Sequence, residues 1–226
     1  MKPEIIIMLT HNDLTVKNAM EVFESCKDLP VQNWGFKDVG IPVDEMIRLN
    51  QAMKAAGKTT FLEVVTYTEN ECLKGAQLAI DCGFDYLTGT VFFPSIVEKM
   101  KGTGISYHPF GGKVGGSPVT LTGSIDEIVA DCKRIMAEGA DGIDLTAYRY
   151  VDGDPLELTM AVADAIGYEK VMMAGSIGSK ERIRIMENLG LSGYTMGSAL
   201  FNSAFIENGT FRENLEYVLG YKNECK

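Results

Sequence analysis

Residues 170–201 read KVMMAGSIGSKERIRIMENLGLSGYTMGSALF. An apolar run, Val171 to Ala174, ends in Gly175-Ser176-Ile177-Gly178. A helical segment follows from about Ser179 to Leu189. A second short apolar run ends in Met196-Gly197-Ser198-Ala199. The order is strand, small-residue turn, helix, strand, small-residue turn. Glycine lets the main chain approach a ligand with no Cβ in between. Helix N-termini add partial positive charge. Two such turns at the ends of neighbouring parallel strands aim backbone N–H groups at one spot, and that spot favours a phosphate.

The same alternation extends outward to both ends of the chain. Strand-like apolar runs occupy Glu4–Thr10, Asn33–Val39, Thr59–Thr66, Asp85–Val91, Gly104–Phe110, Asp141–Tyr148, Lys170–Ile177 and Gly193–Phe201. Amphipathic segments of about a dozen residues lie between them. Ile128, Val129, Cys132, Ile135 and Met136 show the helical spacing that packs one face on a sheet. Thr68…Glu71, Ser95…Glu98 and Ser124…Glu127 have the capping-box pattern, and Asp154…Glu157 is its Asp variant with Pro155 at the first helical position. Gly57, Gly83, Gly139, Gly167 and Gly190 stand where those helices stop. The fourth helix, Pro94 to Met100, is the short one. Eight strand–helix units in 226 residues predict an α/β fold, one eight-stranded parallel (β/α)8 barrel domain spanning residues 1–226. The rival is a doubly wound open sheet. Against it, Gly-x-Gly-x-x-Gly is absent after the first run, where Thr10-His11-Asn12-Asp13 stands instead.

The pair Gly175-Ser176-Ile177 and Gly197-Ser198-Ala199 resembles the phosphate cradle of the ribulose-phosphate-binding barrels, which include sugar-phosphate epimerases and the histidine- and tryptophan-biosynthesis barrels. The resemblance covers about the last fifth of the chain. It implies that the loops after the seventh and eighth strands, with a short extra helix, hold a phosphate. The first turn of that family has two glycines; Ser176 replaces one here. The chain departs from particular branches. The histidine-pathway isomerase has an Asp at the end of its first strand, where this chain has Thr10 and reaches Asp13 three residues on. No segment matches the Asp-x-Lys-x-x-Asp of the decarboxylase branch.

Composition narrows the partners. A net charge of −10 and a pI near 4.8 repel nucleic acid and anionic lipid, so neither is expected. An anionic metabolite then needs a local cradle. Cys26, Cys72, Cys82, Cys132 and Cys225 are not at metal-ligand spacing and read as reduced packing thiols. No apolar run is long enough for a signal peptide or membrane span, so a soluble cytoplasmic protein is expected. No metal and no cofactor is expected, since neither a ligand set nor a flavin or nicotinamide fingerprint is visible. Homo-oligomerisation stays open.

Polar groups inside apolar strands are the informative ones, because alternate residues of a barrel strand face the lumen and catalytic groups sit at C-terminal strand ends. That parity selects Lys37, Glu63, Thr88, Thr90, His108 and Asp144 for the lumen, with Trp34 and Phe36 outward. His11 is read as part of the entry to the first helix, with Asp13 as its N-cap. The glycine-rich segment Gly111–Pro118 reads as a long mobile loop, and Lys113 or Arg149 could reach an anionic substrate. Lys37, Glu63, His108 and Asp144 are the catalytic candidates. Gly175, Ser176, Ile177, Gly178, Gly197, Ser198, Thr88, Thr90 and Arg149 are the substrate- and phosphate-binding candidates. The leading reading is proton transfer or carbon–carbon bond chemistry next to the carbonyl of a small phosphorylated metabolite. Gly35-Phe36-Lys37-Asp38 looks like the lysine strand of dihydrodipicolinate-type aldolases, which leaves a Schiff-base aldolase as an alternative. A non-catalytic phosphate-binding barrel is the third.

Overall fold

The computed structural model describes residues 3–225. Eight parallel strands surround a lumen: β1 (Glu4–Met8), β2 (Asn33–Lys37), β3 (Thr59–Glu63), β4 (Tyr86–Thr88), β5 (Ser106–His108), β6 (Ile143–Leu145), β7 (Val171–Met173) and β8 (Gly193–Met196). Each falls inside its expected run and is shorter than it. Continuous ladders join β6-β7-β8-β1-β2-β3-β4-β5. The remaining seam, between β5 and β6, is held by a parallel bridge from Phe110 to Asp144 and by backbone hydrogen bonds from Asp141 N–H to Tyr107 O (3.0 Å) and from Asp144 N–H to Pro109 O (2.9 Å). The fold is a (β/α)8 barrel, nearly closed.

Helices α1 (Ala19–Cys26), α2 (Val43–Ala55), α3 (Glu69–Cys82), α4 (Pro94–Met100), α5 (Ile125–Ala137), α6 (Pro155–Ile166) and α7 (Lys180–Leu189) follow the strands in turn. The short α8 (Ser198–Phe201) and the closing α9 (Phe211–Glu224) come after β8. Thr68 caps α3 through the Glu71 amide, Ser124 and Glu127 form the full capping box of α5, and Asp154 caps α6 ahead of Pro155. The Ser95 cap does not form. Pro94 already occupies the first helical position, Phe93 is the N-cap, and the Ser95 hydroxyl donates to Glu69 instead. Gly83 and Gly190 stop α3 and α7 in the left-handed conformation (φ 74° and 75°), where a side chain would be strained.

Two apolar layers result. Trp34 packs edge-on to Phe23 of α1, and Phe36 edge-on to Phe84, in the layer between strands and helices. Ile6, Met8, Phe61 and Met172 fill the lumen as a separate cluster. Cys26, Cys72, Cys82 and Cys132 are buried free thiols. No helix among the described residues is long and apolar enough to cross a membrane.

Two short hairpins sit on the loops that follow the strands. Residues 113–115 pair with 120–122, so the expected mobile loop is an antiparallel β-hairpin. Its tip is latched by Tyr67, whose hydroxyl donates to Gly116 O at 2.6 Å. Thr10–His11 pairs with Leu14–Thr15 around Asn12 and Asp13.

Candidate active site

Asn12 and Asp13 have φ of 50° and 62°. Positive φ at both central residues of a two-residue loop is the turn that suits the twist of a hairpin, and Asn and Asp tolerate it. Asp13 is therefore the tip of a hairpin, not the expected cap of α1. Thr15 pins that hairpin to the end of β2: its hydroxyl donates to Lys37 O (2.7 Å) and accepts from Lys37 N–H (2.9 Å). The turn thereby brings the Asp13 carboxylate over the lysine, with Nζ donating to Oδ1 at 2.8 Å. Glu63 is the register partner of Lys37 on β3, and its Oε1 is 3.6 Å from Nζ.

On the other side, β6 runs into a short 3-10 turn, Ala147–Arg149, that carries Arg149 to the barrel mouth. Arg149 Nη2 stands 3.8 Å from Asp13 Oδ1. A Cβ placed on Gly175 would stand 3.4 Å from Arg149 Nε. Arg149 thus bridges the lysine cluster and the first glycine turn.

That turn has an unusual backbone. Gly175 and Ser176 both take positive φ, 72° and 59°. Ser176 is thus held in the left-handed region, where a residue with a side chain costs about 1 kcal/mol or more. Arg182 of α7 donates to Ser176 O while its guanidinium lies 4.1 Å over the Tyr148 ring, which fixes the turn from outside. The Gly175 amide donates to Thr195 Oγ1 at 3.0 Å. The amides of Ser176, Ile177 and Gly178 donate to no backbone or side-chain acceptor among the described residues.

One cleft of about 430 Å³ collects these groups. Lys37, Asp13, Glu63, Arg149 and Arg182 line it together with Gly175, Ser176, Ile177, Gly178, Gly197, Ser198 and Thr195. Asp13, Arg182 and Thr195 were not singled out by the sequence. Asp13 was assigned to a helix cap, and Thr195 and Arg182 are ordinary residues until the turn folds around them.

Charge states follow from the packing. Burial alone would push the Lys37 ammonium down, but the Glu63 and Asp13 carboxylates outweigh it, and the net shift is upward. Lys37 is a cation at neutral pH. Asp13, despite some desolvation, is held below its ordinary value by Lys37 and Arg149. Asp144 is wholly buried, and that burial, reinforced by Glu63 and opposed by Lys37, raises its carboxyl well above the ordinary value. Its Oδ1 has no hydrogen-bond partner among the described residues. Asp38, the residue after Lys37, is pushed up to about 6, by burial first.

The folded state therefore keeps a proton on Asp144 that the unfolded chain releases above about pH 3.9. Stability falls as pH climbs from there toward the folded value. Asp144→Asn is expected to raise the melting temperature, and the gain should widen from pH 4 to pH 8. Thermal melts across that range check it; a constant difference would mean that the carboxyl is not held protonated.

The other candidates lie elsewhere. Thr88 is buried between Glu63 and His108 in one register row and is not among the residues that line the Lys37 cleft. Thr90 does not face the lumen. Gly89 at φ 83° ends β4, the alternation stops there, and the Thr90 hydroxyl pairs with Tyr107 at 2.8 Å in the outer layer. His108 lines a different cavity, of about 370 Å³, with Glu4, Asn33, Tyr86, Asp141 and Lys170 at the N-terminal ends of the strands. Its Nε2 meets Ser106 Oγ at 3.0 Å. Lys113 lines a third cavity beside α5. Tilt explains His108. Barrel strands lean, so partners in one row spiral along the wall, and Lys37, Glu63, Thr88 and His108 form one such row.

No protein-family model matches the sequence, and no curated protein matches it. Solved structures do. Orotidine 5′-phosphate decarboxylase from Pyrococcus horikoshii OT3 aligns at 13% identity and a TM-score of 0.72, over 97% of this chain and 99% of that one. N-(5′-phosphoribosyl)anthranilate isomerase from Pyrococcus furiosus aligns at 15% identity and 0.65, over 98% and 99%. N-acetylmannosamine-6-phosphate 2-epimerase from Clostridium perfringens aligns at 10% identity and 0.65, over 88% and 87%. Identities this low establish the fold alone: the chain has the (β/α)8 barrel of these enzymes, each named for a phosphorylated compound.

Proposed function

We propose that the chain is an enzyme acting on a small phosphorylated metabolite by proton transfer, or by making or breaking a carbon–carbon bond, next to a carbonyl. The observation that carries this reading is Arg149. It joins the glycine turn to the Lys37–Asp13–Glu63 cluster within one cleft. A phosphate on the free amides of 176–178 would leave the rest of a small substrate lying toward Lys37.

Each group then has a part. The Lys37 ammonium stabilises the oxyanion as an enediolate develops, which is worth most where charge appears in a water-poor site. Glu63, with Oε1 3.6 Å from the Lys37 nitrogen, takes the proton from the carbon. Asp144, held neutral, is a proton source one step deeper. Asp13 keeps Lys37 charged and aimed. An imine mechanism needs an uncharged amine, and the two carboxylates act against that. A purely binding role leaves the paired charges around Lys37 without a purpose.

Phosphate binding tests the cradle. Gly197→Asp is a poor probe, since any Cβ there would stand 2.8 Å from Thr10 O and 2.9 Å from Met8 O. Gly178 has room, its nearest neighbour being Ala199 Cβ at 3.6 Å. Gly178→Asp is expected to fold and to bind inorganic phosphate at least about tenfold more weakly by calorimetry, through like-charge repulsion. Equal affinity would remove the cradle. The chemistry is tested by incubating ketose and aldose phosphates with the protein in D2O. Exchange at the carbon next to the carbonyl is the expected signal.

A further inference from the structure

We infer that the substrate carries a carboxylate as well as a phosphate, and that Arg149 binds that carboxylate beside Lys37. The inference rests on the phosphate reading above and names the substrate class within it.

The cleft is lined by three cations, Lys37, Arg149 and Arg182, and by two carboxylates, Asp13 and Glu63. Two of the cations are engaged. Lys37 donates to Asp13, and Arg182 donates to Ser176 O with its face on Tyr148. The Arg149 side chain makes no hydrogen bond among the described residues. Its nearest charged partner, Asp13, is 3.8 Å from Nη2, beyond hydrogen-bond length, and that carboxylate oxygen is already given to Lys37. The side chain is only 28% exposed, so most of its surface has left water. Two neighbouring donors, Nε and Nη2, form the edge that meets a planar carboxylate in two parallel bonds. Both face the gap between Gly175 and Asp13. A Cβ on Gly175 would stand 3.4 Å from one and 3.7 Å from the other.

The phosphate does not need this edge, because the turn amides already offer donors. The edge instead lies between the cradle and Lys37, where the carbon skeleton of a cradle-bound ligand would run. The chain carries a net charge of −10. A guanidinium without a hydrogen-bond partner among the described residues, at a mouth that has one cation in excess, fits a ligand with a second negative group. A phosphorylated hydroxy or keto acid, with its carboxylate at the end away from the phosphate, has that form.

Racemic glycerol 3-phosphate and racemic 3-phosphoglycerate form a matched pair that differs only in carrying a carbinol or a carboxylate at the far carbon. Calorimetry on the full chain should show 3-phosphoglycerate binding at least about tenfold tighter, the scale of a good charged hydrogen-bond pair. Arg149→Met should abolish that preference and leave glycerol 3-phosphate within about threefold. Arg149→Lys, which keeps charge without the fork, should restore only part of it. Melting curves of both variants confirm folding. Equal binding of the two ligands by the unmodified chain would overturn the carboxylate inference while leaving the phosphate reading intact. So would Arg149→Met weakening both ligands alike, which would make Arg149 part of the phosphate site. Failure of both ligands to bind the unmodified chain would overturn the phosphate reading and the inference with it.

Discussion

Lys37→Met is expected to fold and to lose about 10²–10³ in turnover on the substrate that the deuterium-exchange survey identifies. That is the loss seen when one preorganised donor to a developing oxyanion is removed. Methionine keeps the apolar stem in a site where the residue is 7% exposed, so packing survives and the ammonium alone goes. Phosphate affinity should change little, because the cradle amides lie on the other side of Arg149. The pH profile separates a cation from a base. Glu63 and Asp13 raise the Lys37 value above its ordinary 10.5, so it stays charged through the whole neutral range. Its contribution to stability is therefore fully present below the unfolded value and is lost only as pH rises through the folded one. Activity that climbed steadily between pH 7 and pH 10 would instead point to a free amine. Borohydride reduction in the presence of a ketone substrate should add no mass at Lys37, and an adduct would reinstate the imine mechanism. Turnover within a few-fold of the unmodified chain would end the mechanistic claim, whatever the phosphate site does.

The barrel was legible because its signals are local and repeat. Capping residues at Thr68, Ser124 and Asp154 and the positive-φ stops at Gly83 and Gly190 act within a turn of themselves, and eight repeats leave little room for another topology. Lys37 and Glu63 were legible because a charged residue in an apolar strand has few places to go. What the sequence could not convey depends on geometry between distant segments. Asp13 reaches Lys37 only because a tight hairpin folds back on β2 through Thr15. Thr90 left the lumen because one glycine, Gly89, broke the alternation on which the parity argument stood. Ser176 looked like a departure from a two-glycine turn, yet the backbone adopts positive φ there, with Arg182 holding its carbonyl.

His108 is the sharpest divergence, and it carries the second large effect. Strand-end position suggested a catalytic imidazole; the tilt of the barrel puts it at the opposite mouth from Lys37. There it is 7% exposed, edge-on to Tyr86 with ring centroids 5.4 Å apart, and tight against Gly142, where a Cβ would stand 2.5 Å from the ring. Burial, slightly relieved by Asp141, pushes it down to about 4. An unfolded histidine titrates near 6.5. Between those values the unfolded chain takes up a proton that the folded chain refuses, so stability must fall as pH drops through this window. The difference corresponds to roughly 3 kcal/mol lost between pH 6.5 and pH 4. His108→Gln keeps a donor for Ser106 Oγ and cannot titrate. It is expected to melt somewhat lower at pH 7, from the smaller side chain, but to lose that much less on acidification. Urea unfolding at half-unit pH steps measures the two slopes. Parallel slopes would show that the imidazole takes its proton in the folded state, and a turnover loss near that of Lys37→Met would return His108 to the chemistry.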